Sequence, residues 1–256
     1  MTEFEGKIAL VTGAGRGIGR AVALALAAAG TDILSADIDL SLAEGTASEV
    51  AKLGGRVIAQ KVDVTDWQEV KNLLDYCTDK LGGLDILINN AVVVKSALVE
   101  DLSVEDWQRI MDINIKGVFL CCKFAIPYLR RRPWASIINI ASVAGKNGVP
   151  TMAAYCASKF AVIGFTNALA KELAKTNITV NAICPGIIYT AMWEYLAETF
   201  KRPGESLQES WQRHISTIPQ GQPQTPEDVA DLVLYLVNAR HVTGQAINVD
   251  GGMEMH

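Results

Sequence analysis

Short apolar runs alternate with longer stretches of helical periodicity along most of the chain. Ile8-Ala9-Leu10-Val11 and Ile86-Leu87-Ile88 are continuous runs, not apolar–polar alternations. Strands buried on both faces read this way, and they belong to parallel sheets covered by helices. The pattern predicts strands at Lys7–Val11, Thr31–Ala36, Arg56–Val62, Leu84–Ile88, Ser136–Ile140, Ile178–Ile183 and Ala246–Val249. Between them the period becomes helical over Gly17–Ala29, Leu40–Leu53, Trp67–Leu81, about Val104–Arg130 and about Thr151–Lys175. This order predicts a single α/β domain over residues 1–256 with a doubly wound parallel sheet. Ligands in that architecture bind beyond the carboxyl ends of the strands, so residues just after strands carry the information. Residues 187–225 break the rhythm with a mixed set: Trp193, Tyr195, Phe200, Pro203, Gly204 and Trp211. A long irregular segment in a compact domain is expected to be a lid or binding loop.

Composition narrows the picture. A chain of 256 residues, 50% hydrophobic and 20% charged, suits one domain of this kind. The net charge is −5, and the only basic run, Arg130 to Arg132, sits at a predicted helix end where cations complement the dipole. No nucleic-acid partner is expected. Met1 to Lys7 lacks an apolar signal core, and no apolar run approaches about 18 residues, so neither export nor a membrane span is expected. Cys77, Cys121, Cys122, Cys156 and Cys184 are odd in number and form no CxxC, which points to reduced thiols in a cytoplasmic protein. His214, His241 and His256 are scattered, and no metal site is expected.

The first strand runs into Thr12-Gly13-Ala14-Gly15-Arg16-Gly17-Ile18-Gly19, where a helix begins. Glycines let the backbone turn tightly and approach a pyrophosphate, and the helix start offers free N–H groups and a positive dipole end. The spacing differs from the general GxGxxG pattern, but strand, turn and helix occur in the right order. Strand two leads to Asp37, placed to accept hydrogen bonds from the adenosine ribose and to repel a 2′-phosphate. Asp39 reads as a helix cap. Asp63, with Val64 beside it, follows strand three and is placed to bond the adenine amino group, with capping of the helix at Trp67 as the competing reading. The expected cofactor is NAD.

Tyr155 and Lys159 stand four apart in Tyr-Cys-Ala-Ser-Lys, which puts them on one helix face. A nearby ammonium is expected to lower the tyrosine pKa toward the working range of a general acid–base. Ser142 follows strand five at the ligand-binding edge, and its hydroxyl could hold a substrate oxygen beside Tyr155.

Taken together, the Gly13–Gly19 turn, Asn89-Asn90-Ala91, Asn114, Ser142, Tyr155, Lys159, Pro185-Gly186 and the tail Gly244-Gln245 with Asp250-Gly251-Gly252 resemble the short-chain dehydrogenase/reductase family along almost the whole chain. The resemblance implies a Rossmann-type fold and reversible hydride transfer between a nicotinamide and a secondary alcohol or its ketone. It implies that Tyr155 moves the hydroxyl proton, Lys159 bonds the nicotinamide ribose, Ser142 orients the substrate oxygen and Asn114 organises a water. Gly13, Gly17, Ile18 and Gly19 would hold the pyrophosphate, and Arg16 is the one cofactor-side residue pulling toward NADP, because a guanidinium could pair a 2′-phosphate, although Asp37 weighs more. Asn90 and Ala91 would flank the adenosine ribose, and Pro185, Gly186, Ile187 and Thr190 the nicotinamide. One departure is Val92, where the family usually has glycine; a β-branched residue there puts the loop geometry in question. Another is the short link Tyr235 to His241.

Within the family, Cys184 to Trp193 and the long segment after it look most like acetoin/butanediol reductases and polyol dehydrogenases, with 3-oxoacyl reductases as the alternative. A non-catalytic dinucleotide sensor and an isomerase with tightly held NAD are weaker rivals. Val143, Val149, Met152, Met192 and Trp193 are expected to line the substrate volume, with Lys146 and Asn147 as its polar exceptions. Trp107, Phe119 and Phe124 read as packing residues, and Cys156 as no nucleophile. Relatives pair the two long helices in dimer contacts and assemble as tetramers, so a homotetramer is expected.

Overall fold

A computed structural model describes residues 4–255. His256 and the first three residues of the acidic N-terminal stretch lie outside them. Seven strands form one parallel sheet in the order β3-β2-β1-β4-β5-β6-β7. They are β1 (Ile8–Thr12), β2 (Asp32–Asp37), β3 (Val57–Lys61), β4 (Ile86–Asn89), β5 (Ala135–Ile140), β6 (Ile178–Pro185) and β7 (Ala246–Val249). The fold is the doubly wound α/β arrangement, and the chain reverses its winding between β1 and β4, where a crevice must open.

The apolar runs explain the two covered faces. Along β1, Ile8 and Leu10 enter one core while Ala9 and Val11 enter the other. The first core takes residues from α3 (Trp67–Leu81), α5 (Gly117–Leu129) and α6 (Ala153–Leu173). The second takes them from α1 (Gly17–Ala28), α2 (Leu40–Lys52) and α9 (Pro226–Asn238). At the amino edge of the sheet, the fully buried Asp85 accepts from Lys7, Arg132 and the Ile8 amide. So Arg132, read as a dipole cation, spends its charge on a buried carboxylate.

Three elements depart from the sequence reading. The single helix expected over Val104–Arg130 is α4 (Val104–Met111), a π turn (Asp112–Lys116) and α5. A π turn inserts a residue and re-aims the side chains around it; here that residue set includes Asn114. The segment 187–225 is not a bare loop but carries two helices, α7 (Ala191–Thr199) and α8 (Leu207–Ile215). Finally, α9 was not expected as a helix. Both α8 and α9 begin in capping boxes, Ser206 with Glu209 and Thr225 with Asp228. Those signals were present in the sequence.

Candidate active site

The carboxyl ends of the strands open on a cleft of about 1950 Å³. At one end lies the glycine turn. Gly13 and Gly17 have φ of 61° and 53°, which side chains rarely adopt. A Cβ on Gly19 would stand 2.1 Å from the Gly13 carbonyl oxygen, so the first turn of α1 is pressed against β1. No side chain caps α1, which leaves the N–H groups of its first turn open toward the cleft that Gly17 and Ile18 line. That is the donor set an anionic diphosphate needs. The residues present therefore fit a dinucleotide.

Asp37 ends β2 at the cleft wall. Its Oδ2 accepts from the Gly15 amide at 2.9 Å and its Oδ1 from the Asp39 amide at 3.1 Å. The carboxylate is thus fixed across the glycine turn. Asp39 caps α2, as expected, and hydrogen bonds from the Ser41 hydroxyl and amide hold its pKa down, with a smaller pull from Arg16. Asp63 lines the cleft but caps no helix: its Oδ1 accepts from Thr65, while Asp66 caps α3. Val64 packs where a Cβ on Gly117 would meet it at 2.8 Å, which ties this wall to the start of α5. Asn90 turns inward: its Nδ2 donates to the carbonyls of Thr12 and Gly13 and braces the glycine turn from below. Ala91 stays at the cleft.

The second half of the cleft gathers Ser142, Tyr155 and Lys159. Ser142 starts a 3-10 turn (Val143–Gly145), and its Oγ accepts from the Ala144 amide at 3.1 Å. Tyr155 and Lys159 project from the same face of α6, with the lysine nitrogen 5.7 Å from the phenol ring centre. Both are buried. Burial pushes the Tyr155 phenol up to about 12, opposed in part by its bond to Ser142. Burial also pulls Lys159 down to about 8. Burial of Tyr155 therefore outweighs the lowering expected from the ammonium. Desolvation dominates, and Lys159 Nζ donates to the Ile140 carbonyl at 2.7 Å instead.

Asn114 lies in the π turn. It pairs with the Val93 backbone through both amide atoms, each at 2.9 Å, and donates to Ser158 at 3.0 Å. It thus joins α6 to the loop after β4. Val92 adopts ordinary backbone geometry, because among the described residues only Thr151 is a non-glycine with positive φ. The loop does not use the freedom a glycine would give, and Val92 packs on the cluster around Tyr155. Thr151, at φ 66°, is held by a 2.7 Å bond between its hydroxyl and that of Ser96.

Pro185, Gly186, Ile187 and Thr190 follow β6 into the cleft, where the Thr190 methyl would lie 3.4 Å from a Cβ on Gly17. Val143, Val149, Met152, Met192 and Trp193 line the other wall. Lys146 and Asn147 do not. Their side chains turn toward the C-terminal region, bonding the Ala246 carbonyl at 2.7 Å and the Glu254 carboxylate at 2.9 Å. Polar groups that the sequence reading did not single out also line the cleft: His214 and Arg213 from 187–225, and Gln108 and Arg109 from α4. Cys156 is buried and accepts from the Val149 amide.

The pattern of the short chain dehydrogenase family matches residues 7–201. This chain belongs to the short-chain dehydrogenases. It is 41% identical to the 3-oxoacyl-[acyl-carrier-protein] reductase of Synechocystis sp., with all of both chains covered. It is 38% identical to the corresponding reductase of Thermotoga maritima, over 98% of each chain. It is also 40% identical to the L-2,3-butanediol dehydrogenase of Corynebacterium glutamicum, over 96% of this chain and 98% of that one. A crystal structure of a variant actinorhodin polyketide ketoreductase with NADPH superposes with a TM-score of 0.94, at 35% identity over 98% of each chain. A short-chain dehydrogenase is an oxidoreductase that binds a nicotinamide dinucleotide, and this chain carries that fold over its whole described length.

Proposed function

We propose that this short-chain dehydrogenase interconverts a small secondary alcohol and its ketone, with hydroxyketones, diols and polyols favoured, and prefers NAD(H). The observation that carries the substrate reading is the wall opposite Ser142 and Tyr155. Met152, Met192 and Trp193 make it apolar, and the guanidinium of Arg213 beside them is already paired with Glu205 at 2.9 Å. Asp37 carries the coenzyme reading, since its fixed carboxylate stands where a 2′-phosphate would be repelled.

The bound nicotinamide supplies or takes the hydride. Tyr155 Oη moves the proton, and its raised pKa keeps it a donor at neutral pH, in the sense ketone reduction needs. Ser142 Oγ holds the substrate oxygen beside it. Lys159 reaches the nicotinamide ribose when it leaves the Ile140 carbonyl. Asn114 fixes the loop after β4 against α6 and so keeps the two halves of the site in register. The whole chain works as one catalytic unit with 187–225 as its lid.

A second reading, a 3-oxoacyl thioester reductase, is favoured by the names of two relatives. Assays of acetoin, 2,3-butanediol and an acetoacetyl thioester with both coenzymes separate the two. Highest kcat/KM on the thioester with NADPH overturns the proposal. Assembly as a homotetramer is supported by Trp107 and Phe119, which leave over 40% of their surface open despite reading as packing residues, and by Phe160 on α6. Light scattering at micromolar concentration checks it. The five cysteines are free and buried, which supports a reducing, cytoplasmic setting. Among the described residues no helix is long and apolar enough to cross a membrane.

A further inference from the structure

The lid contributes an imidazole whose protonation is fixed by its surroundings. His214, near the end of α8, lines the cleft. Its ring lies 5.7 Å from Trp193 on one side and 5.7 Å from Phe200 on another. Trp193 and Phe200 pack in turn on the buried cluster of Tyr155, Met152 and Leu196. His214 therefore belongs to the substrate end of the cleft, not to the glycine turn.

Nδ1 of His214 is 2.7 Å from the carbonyl oxygen of Ser210. A carbonyl only accepts, so Nδ1 carries the hydrogen. A neutral imidazole has one N–H, so Nε2 is left as a bare acceptor. The ring is neutral at neutral pH because burial lowers its pKa, and Arg213 and Arg202 act in the same sense while Glu205 and the Ser210 carbonyl act against it. Among the described residues no protein group bonds Nε2. The adjacent Arg213 is turned away from this edge: its Nε and Nη2 donate to Glu205, the Phe200 carbonyl and Ser210. The edge of the imidazole away from α8 thus presents one acceptor, framed by two aromatic rings.

We propose that His214 Nε2 accepts a hydrogen bond from a second hydroxyl of the substrate, one carried near the carbonyl held at Ser142 and Tyr155. The inference rests on the small-ketone reading above and deepens it: the group recognised is a neutral donor, which selects a hydroxyketone over a plain ketone and over a diketone. His214 acts here as a specificity residue; the proton and the hydride do not pass through it.

The test measures kcat/KM for acetoin and for 2-butanone with the NADH-loaded enzyme, in the parent chain, His214→Phe and His214→Gln. Phenylalanine keeps a ring between Trp193 and Phe200 and removes the acceptor; glutamine restores an acceptor oxygen. The parent should favour acetoin by about 5- to 10-fold, the range of one net hydrogen bond. His214→Phe should erase that preference by slowing acetoin alone, and His214→Gln should recover part of it. Equal losses on both ketones, or a preference that survives His214→Phe, would overturn the assignment while leaving the small-ketone reading intact. A parent enzyme that reduces neither ketone defeats that reading, and the role of His214 falls with it.

Discussion

The two halves of the cleft are built from different materials. The cofactor half is backbone: a glycine turn, the bare amides of α1, and Asp37 tied to the Gly15 amide. The substrate half is side chains: Trp193, Trp211, Tyr189 and His214 meet edge to face, with Phe200 tilted against His214, on and beside two short helices. A backbone cradle tolerates little change, because an added Cβ at Gly19 strikes a carbonyl. An aromatic cluster can be repacked residue by residue. The first half suits a ligand every relative shares, and the second suits one that differs among them.

The sharpest break in this comparison lies where the halves meet. Tyr155→Phe should lower turnover by about 10²-fold or more with the fold intact, the scale of a lost general acid. Steady-state rates beside a circular dichroism melt check it, and near-normal turnover in a folded variant removes Tyr155 from the chemistry. On the cofactor side, Asp37→Ser keeps a polar group near Gly15 and removes the charge. The NADH over NADPH preference in kcat/KM should shrink by about 10-fold, since one like charge near a phosphate costs on the order of 1–2 kcal/mol in a partly solvated site. An unchanged ratio would hand coenzyme choice to other residues.

On the substrate side, Trp193→Ala should raise KM for small ketones about 3- to 10-fold and admit bulkier ones, as a partial loss of apolar contact predicts. If the substrate profile holds and only the melting temperature drops, Trp193 is a packing residue of the lid. The smallest effect concerns Lys159. Its folded pKa, about 8, lies below the ordinary 10.5, so the folded chain binds fewer protons than the unfolded chain between those values. The burial penalty is fully present below pH 8 and fades as pH rises from there. Lys159→Met should therefore raise Tm at pH 7 by a few degrees, at about 2–4 °C per kcal/mol. The gain should narrow by pH 10, above which Tyr155, raised to about 12, destabilises the fold of both chains. Equal or lower Tm in the variant at pH 7 would show that the Ile140 bond outweighs desolvation.

The same division governs what could be read from the sequence. Strands buried on both faces leave continuous apolar runs, so all seven appeared within a few residues of their places. Gly13, Asp37, Ser142, Tyr155 and Lys159 stand just after strands or on one helix face, where local spacing fixes position. The substrate wall has no such rule. Lys146 and Asn147 follow Ser142 closely in sequence, yet Ala246 and Glu254, distant along the chain, draw them away. His214 reaches the cleft only because α8 packs on α7 through Trp193 and Trp211, a contact that no local pattern encodes. The π turn at Asn114 was hidden for a related reason: its residues have ordinary helix propensity, and tertiary pairing with Val93 accompanies the change of pitch.

The feet of the 187–225 excursion stand together. Ile188 bridges Gln224, the Gln224 amide donates to Ile187, and the Tyr189 amide donates to Gln224. Chain leaves the sheet and returns to it through one hydrogen-bonded gate, much as a cartridge seats in a socket. Loop-closure entropy grows only slowly with length, so the sheet is nearly indifferent to how much chain lies beyond the gate. Insertions, deletions and wholesale grafts between Ala191 and Pro223 can then be exchanged by evolution, or by an engineer, without renegotiating the coenzyme machinery.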